Sequence, residues 1–170
     1  VLTRIHYLIS VDPRTALSPE LNQVESRIRE LTRSWPDELS HLLQDHHGDG
    51  AGLALADEWA ESFPTAFRED LSPAEGLDHL VHITKADTEA QLEIALQQPP
   101  GYAAHEAQLR LYSPESAVVL SDVLPVIENL GLHVLTENPF RIQSTSGRTV
   151  FLHIFDLADH DQRGIEIRKS

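Results

Sequence analysis

The segment Leu120-Ser-Asp-Val-Leu-Pro-Val-Ile-Glu-Asn-Leu-Gly-Leu-His-Val-Leu-Thr-Glu-Asn138 predicts a short helix that turns directly into a strand. Ser121 or Asp122 is expected to cap the start of the helix, because their side chains accept hydrogen bonds from free backbone N–H groups. Four apolar residues at a spacing of three to four would form one helix face: Val123, Leu124, Ile127 and Leu130. Gly131 then stands where a left-handed residue ends a helix. The alternation that follows is typical of a strand.

Further strands are predicted on both sides of this unit. Apolar side chains alternate in two short runs before it, namely Leu92, Ile94 and Leu96, and then Leu109 and Leu111. Gln98-Pro-Pro-Gly101 separates these two runs. After the central unit we expect a turn at Ser144–Gly147, a strand at 148–155, and one more strand at Gly164–Arg168. The order β-β-α-β-β predicts an α+β fold, with a mainly antiparallel sheet and helices on one of its faces.

The first half of the chain predicts helices. Ile5–Val11 alternates like a strand, but Ser18-Pro19-Glu20 has the signature of a helix start. Ser72-Pro-Ala-Glu75 has the pattern of a capping box. Several aromatic residues fall at helical spacings, and we expect them to pack in a core: Trp35, Trp59, Phe63 and Phe67. Residues 17–84 are therefore interpreted as a compact set of three or four helices.

The composition excludes several classes of function. The chain has 170 residues, with 13 basic and 27 acidic side chains and a net charge of −14. Such a surface repels phosphate backbones and anionic lipids, so we expect no nucleic acid and no membrane as partner. The absence of cysteine excludes disulfides and thiolate chemistry and favours a cytoplasmic protein.

The glycine and histidine patterns indicate neither a dinucleotide site nor a metal site. His47-Gly-Asp-Gly-Ala-Gly52 contains G-x-G-x-G, but an amphipathic helix precedes it, so we expect helix ends there and no dinucleotide site. His79 and His82 lie at i, i+3, and His41 and Asp45 at i, i+4. Two ligands do not make a metal site, and we interpret these histidines as solvated surface residues. We therefore predict no catalytic, cofactor-binding or metal-binding residue.

Several blocks of the chain resemble one protein family. The run from Leu120 to Phe140, the strand Arg148–Asp156, the stretch Trp59–Glu75 and the element Leu31–Leu39 are similar to blocks of the large bacterial NAD-specific glutamate dehydrogenases, in the same chain order. The similar region of that family is non-catalytic and ACT-like. The resemblance implies a longer parent enzyme that converts L-glutamate, NAD and water to 2-oxoglutarate, ammonia and NADH, with NAD as the parent's cofactor.

The resemblance also implies how this piece is organised and used. We expect residues 1–16 to belong to a preceding ACT-like unit, 17–84 to be helical, and 85–170 to form an ACT-like domain. The implied partners are the rest of the parent polypeptide and its other subunits, in an oligomer. The chain has only two lysines, Lys85 and Lys169, and neither lies in a glycine-rich substrate loop. The chain is therefore expected to regulate or support catalysis and not to perform it.

An amino-acid effector is the alternative that stays open. The loop 113–119 lacks the glycine with which amino-acid-binding ACT modules usually hold a ligand carboxylate. The N–H groups at the start of the following helix, at Ser121, Asp122 and Val123, offer another seat for a carboxylate. The rival hypothesis is therefore a free-standing amino-acid-binding sensor module.

Overall fold

The computed structural model describes residues 33–167. The strand predicted at Ile5–Val11 and the helix start predicted at Ser18 lie outside these residues. The helices and the sheet described below belong to one compact unit that begins at Ser34.

Four helices come first along the described chain: α1 at Trp35–His47, α2 at Asp49–Trp59, α3 at Thr65–Asp70 and α4 at Pro73–Glu89. The predicted capping box at the start of α4 is confirmed, since the Ser72 hydroxyl accepts from Glu75 N and the Glu75 carboxylate accepts from Ser72 N at 2.8 Å. α1 begins in the same way, with Ser34 and Asp37 as the reciprocal pair. Serine followed by proline in the first turn therefore sets both helix starts.

The second half forms a four-stranded antiparallel sheet. Its strands are β1 at Glu93–Gln97, β2 at Glu106–Pro114, β3 at Leu132–Gln143 and β4 at Thr149–Asp159, and α5 at Leu120–Asn129 joins β2 to β3. The strand order is β1-β2-β4-β3, so the order of elements and the antiparallel pairing agree with the prediction. Residues 162–167 have no regular structure, and the strand predicted at Gly164–Arg168 is wrong over the part that the structure describes.

Helices cover both faces of the sheet, which corrects the expectation of one covered face. One core joins α1–α4 to Tyr112, Leu152 and Ile154, and it holds the predicted aromatic residues Trp59, Phe63 and Phe67. A second core joins Ile127 of α5 to Leu111, Phe155 and Leu157. Alternate side chains of a strand point to opposite faces, and β4 is apolar at both sets of positions. Both faces of β4 therefore need a cover.

The start of α5 also differs from the prediction. The N-cap is Val119, two residues before Ser121 and three before Asp122, and no side chain makes a capping hydrogen bond there. The end of the helix agrees with the prediction, because Gly131 has a φ of 79°, a conformation that glycine adopts without strain.

Candidate interaction surface

An apolar groove runs between α5 and the edge strand β1. It encloses about 350 Å³ and is lined by Leu92, Ile94, Leu109, Leu111, Asp122, Val123, Val126, Ile127 and Leu130. Several of these side chains are strongly exposed, with Ile94 at 57%, Val126 at 59% and Leu130 at 71%. A contiguous exposed apolar strip of this kind is a candidate interaction site.

The groove exists because α5 covers only part of its face of the sheet. Ile127 packs into the core with Phe155 and Leu157 of the central strand β4. The side chains of Leu92, Ile94 and Leu96, on and beside β1, stay 38–57% exposed on that face. The alternation of these three residues predicted the strand but not its exposure, which depends on where α5 lies.

The chemistry of the groove is almost purely apolar. Asp122 is the one polar residue in its lining. A free amino acid needs partners for both its ammonium and its carboxylate, because unpaired charges are expensive to bury. The lining instead suits aliphatic or aromatic side chains, which gain free energy by leaving water.

The residues of the predicted effector seat do not share one environment. Asp122 and Val123 line the groove, whereas Ser121 is exposed and is not part of the lining. The amides of Asp122 and Val123 both donate to Val119 O, at 3.0 and 3.3 Å. Two of the three amides are thus engaged within the first turn of α5.

A polar cluster joins the helices to the β3–β4 turn. Thr145 N and Thr145 Oγ1 donate to the carbonyls of Glu58 and Asp57 at the end of α2, at 3.0 and 3.1 Å. Ser146 Oγ donates to the Glu58 carboxylate, whose pKa is lowered to about 2 by its hydrogen bonds with Ser146, Ser144 and Arg148, in that order of size. Arg148 also pairs with Asp87 of α4. These groups satisfy one another, so the cluster is a structural joint between helices and sheet.

His79 was expected to be solvated, and this is wrong. Its side chain is fully buried, Nδ1 lies 2.9 Å from the Tyr112 hydroxyl, and its ring meets Phe67 edge to face. Burial, followed by the charges of Arg110 and His82, lowers the pKa of His79 to about 3. The imidazole is therefore neutral at physiological pH and belongs to the core.

The other pairs of potential metal ligands stay apart from any third ligand. His82 Nδ1 lies 3.1 Å from a Glu93 oxygen, and His41 pairs with Asp45 at 3.0 Å. Across residues 33–167, no group of three or more histidine or carboxylate side chains could hold a metal ion.

A second polar network lies on the face of the sheet that α1–α4 cover. The Asp156 carboxylate accepts from Tyr102 Oη and Thr136 Oγ1, each at 2.5 Å, and from Gln108 Nε2 at 3.2 Å. Burial and the hydrogen bond to Asp156 raise the pKa of Tyr102 to about 12, so the phenol stays protonated as a donor. Neighbouring Arg110 is 5% exposed and pairs with Asp78 at 2.6 Å. Hydrogen bonds within this network join Gln108 of β2 and Thr136 of β3 to Asp156 of β4, so they support the pairing of these strands.

Comparison with known proteins agrees with this architecture. Residues 91–170, which span the sheet and α5, match the family model of the glutamate dehydrogenase ACT3 domain, and residues 42–83 match the model of glutamate dehydrogenase helical motif 2. The chain belongs to the glutamate dehydrogenase family. Together the two matches cover more than two thirds of it.

Curated relatives extend the same match. The chain is 28% identical to an NAD-specific glutamate dehydrogenase of Pseudomonas aeruginosa over 99% of its length, and 29% identical to one of Halomonas elongata over 94%. A relative of the same name from Mycobacterium tuberculosis is 25% identical over 81% of the chain. The chain spans about a tenth of the length of these relatives.

Among the helices of residues 33–167, none has the length and apolar composition of a membrane-spanning helix.

Proposed function

We propose that the chain is a non-catalytic segment of an NAD-specific glutamate dehydrogenase and makes contacts between domains or subunits of that enzyme. The observation that carries the proposal is the open apolar groove between α5 and β1, in a chain whose relatives are about ten times longer. An exposed apolar surface of this kind stabilises the protein when another part of the polypeptide covers it and removes it from water. The division into a helical segment at 17–84 and an ACT-like domain at 85–170 stays a prediction of this proposal.

The internal chemistry of the described residues supports a contact role. The carboxylates of Glu58 and Asp156 are each held by hydrogen bonds within their own cluster, Glu58 by Ser146 and Asp156 by Tyr102 and Thr136. His79, with its strongly lowered pKa, is buried against aromatic rings. Hydrogen bonds account for the lowered pKa of Glu58 and burial accounts for that of His79, which favours structural use over catalysis.

The whole enzyme would oxidise L-glutamate to 2-oxoglutarate and ammonia with NAD, and NAD would bind elsewhere in the polypeptide. The segment would influence that reaction through packing, since a contact that differs between two states of an enzyme biases its active site. The other subunits of an oligomer are further candidate partners.

Charge placed in the groove tests the proposal in the dehydrogenase polypeptide that contains the chain. Ile94→Glu puts a carboxylate on the β1 wall, where Ile94 is 57% exposed and its loss leaves no cavity in the core. We expect a changed kcat, KM or subunit assembly. Leu53→Glu, at a site on α2 that is 51% exposed and outside the groove, is the matched control. Equal kinetics and assembly in the Ile94→Glu variant and the unmodified enzyme would refute a contact role for the groove.

The isolated chain supplies the second arm of the test. We expect no NADH formation when it is incubated with L-glutamate and NAD. Glutamate-dependent NADH production by the purified chain would overturn the assignment as a non-catalytic segment.

An amino-acid sensor is the second candidate. No side chain caps the start of α5, and amides at a helix start attract carboxylates, so Ser121, Asp122 and Val123 remain a candidate seat. A thermal-shift panel of the twenty amino acids and 2-oxoglutarate tests it. A ligand at a hundred times its Kd would add about 2.7 kcal/mol of stability. A shift that Ser121→Pro abolishes, because proline removes the N–H group at that position, would establish the sensor, and silence across the panel would leave the contact role.

A further inference from the structure

A groove between α2 and α4 runs along the helical part of the molecule. It consists of two cavities, of about 100 and 260 Å³, which share Leu55 of α2 and Thr84 of α4. Aliphatic side chains dominate the first cavity: Leu43, Leu55, Leu77, Leu80 and Val81. Glu58, Asp87 and Arg148 line the second cavity. This α2–α4 groove therefore has an apolar end and a charged end.

The apolar end has room for one large aliphatic side chain. Val81 is 51% exposed there, whereas Leu43 and Leu80 in the same lining are buried. A cavity of about 150 Å³ admits a benzene ring, so a volume of about 100 Å³ suits a leucine or isoleucine side chain. Such a side chain would gain free energy, because it would leave water together with Val81.

The charged end of the groove favours a cation. α2 ends at Trp59 and α4 ends at Glu89, and neither helix has a basic residue in its last turn. The C-terminal carbonyls of a helix carry partial negative charge, so two helix ends and the carboxylates of Glu58 and Asp87 meet here. Arg148 pairs with both carboxylates, and its guanidinium carbon lies 5.6 Å from the centroid of the Trp59 ring. One guanidinium does not balance these negative groups, but it shows which kind of group they hold.

The helical segment as a whole has few basic residues. Residues 34–89 carry 13 acidic and 2 basic side chains, so they hold most of the net charge of −14. Both basic side chains are already paired, Arg68 with Glu61 at 3.1 Å and Lys85 with Glu93 at 2.8 Å. A segment that covers the α2–α4 groove is therefore expected to supply positive charge of its own.

A helix fits the α2–α4 groove better than an extended segment. The backbone groups of α2 and α4 are hydrogen-bonded within their own helices, so the groove offers few partners to an extended backbone. A helix satisfies its own backbone. α4 advances about 10 Å from Val81 to Thr88, so two side chains about seven residues apart on a docked helix would reach both ends of the groove. A helix antiparallel to α2 and α4 places its positive N-terminal end at the charged end.

Other occupants fit the α2–α4 groove less well. A second copy of the chain would bring two acidic helical surfaces together. A nucleic acid or an anionic lipid would meet the same repulsion. The relatives are about ten times longer than the chain, so a helix from elsewhere in such a polypeptide would be present at high effective concentration.

We propose that a basic amphipathic helix, supplied by another part of the same glutamate dehydrogenase polypeptide, docks in the α2–α4 groove antiparallel to both helices. An aliphatic side chain of the docked helix packs against Leu55 and Val81 at the apolar end. An arginine or lysine about seven residues before it pairs with the carboxylates of Glu58 and Asp87 at the charged end. This inference rests on the proposed function as a segment of the longer enzyme, but it concerns a different surface from the groove beside α5.

A single cysteine in the α2–α4 groove tests the inference, since the chain has no cysteine of its own. Val81→Cys is introduced into the isolated chain and into the full dehydrogenase. Leu53→Cys is the matched control, because Leu53 is also 51% exposed but lies outside the lining of the groove. A maleimide reagent labels both, and mass spectrometry of the peptide that carries the new cysteine gives the rate.

We expect labelling at position 81 to be at least about tenfold slower in the full enzyme than in the isolated chain, and labelling at position 53 to change by less than about threefold. Equal rates at position 81 in the two forms, or equal slowing at both positions, would overturn the inference.

A charge at Thr88 tests the basic character of the docked helix. Thr88 is exposed and lines the charged end of the groove, and it takes no part in the ion pairs of Arg148. In the full enzyme that carries Val81→Cys, Thr88→Lys should speed labelling at position 81 by at least about threefold, because it repels the docked cation. Thr88→Glu, the control with a long side chain of opposite charge, should not speed it. Equal effects of the two substitutions would show that charge does not hold the occupant and would overturn the proposal.

A benzophenone maleimide attached to the Val81→Cys variant of the full enzyme then identifies the occupant by cross-linking. The expected cross-linked peptide comes from the same polypeptide and carries a basic residue about two helical turns before an aliphatic one. Co-assembly of isotope-labelled with unlabelled subunits distinguishes cross-links within one polypeptide from those between copies. A cross-link to another copy, or to a peptide without a basic residue, would overturn the proposal. The kinetics of Ile94→Glu test the contact role at the groove beside α5, so the two proposals fail or hold separately.

Discussion

Two glycines in α2, Gly50 and Gly52, differ in the space available for a side chain. Substitution of each by alanine tests the packing of α2 against α1. A Cβ at Gly52 would lie 2.5 Å from Leu43 O and from Gln44 Cα, and 2.7 Å from Gln44 N, which are all backbone atoms of α1. A Cβ at Gly50 would meet no atom within 4 Å. Both residues lie in the same helix, so both variants gain about the same 0.5–1 kcal/mol of helix propensity.

The difference between the two variants therefore isolates the clash. Ordinary Cβ contacts begin near 3.4 Å, so α1 and α2 would have to separate by about 1 Å. Overpacking of this kind costs roughly 1–3 kcal/mol, and contact with three rigid backbone atoms favours the upper part of the range. We expect Gly50→Ala to be more stable than the unmodified chain by several tenths of a kcal/mol, and Gly52→Ala to be less stable than Gly50→Ala by about 2–3 kcal/mol.

Urea unfolding measures this difference. Trp59 is 2% exposed in the helical core, so its fluorescence reports unfolding of the part that contains both glycines. For a domain of this size the expected difference corresponds to roughly 5–10 °C in Tm. Equal stability of the two alanine variants would refute the close crossing of α1 and α2 at Gly52.

Three further predictions concern the core and the helix ends. Between pH 6.5, the ordinary pKa of histidine, and about 3, the pKa of buried His79, the unfolded chain binds a proton that the folded chain does not. The free energy of unfolding should therefore fall as the pH is lowered from 7 to 5, by about 2 kcal/mol, and His79→Phe should remove most of this dependence, as urea titrations at both pH values would show. Phe67→Ala removes a fully buried ring that contacts Trp35, Phe63, His79 and Phe140, and a loss of about 3–5 kcal/mol is expected; a loss below about 1 kcal/mol in the same titration would contradict the packing. Ser72→Ala removes the capping box of α4 and should lower stability by about 1 kcal/mol, with Ser116→Ala, at an exposed loop residue, as the neutral control.

Much of the fold follows from local patterns in the sequence. The serine of Ser72-Pro-Ala-Glu75 and the left-handed Gly131 each act within one turn of backbone, so their effect on a helix end does not depend on distant residues. Alternation in Leu92–Leu96 likewise predicts a strand whatever its neighbours are. The central helix-to-strand unit was predicted for the same reason, although the N-cap of α5 is Val119 and not Ser121 or Asp122.

The histidines show which contacts a local sequence pattern does not predict. The spacing of His79 and His82 places both on α4, and the sequence alone suggested that both are solvated. Tyr112, which is 33 residues away along the chain, supplies the hydrogen bond that holds His79 in the core. His82 stacks on the ring of the same tyrosine and faces Glu93. Neither partner is visible in the helix pattern, because both come from the sheet.

The sequence by itself determined the class of the fold, the order β-β-α-β-β, most helix ends and the family, because each is written in short-range periodicity or in contiguous motifs. The tertiary structure alone decided which side chains meet across elements. It placed helices on both faces of β4, brought Gly52 against the backbone of α1, and left Ile94 and Leu130 uncovered beside α5. The physical reason is that burial depends on how much area one element can cover, and a single ten-residue helix cannot cover a four-stranded sheet.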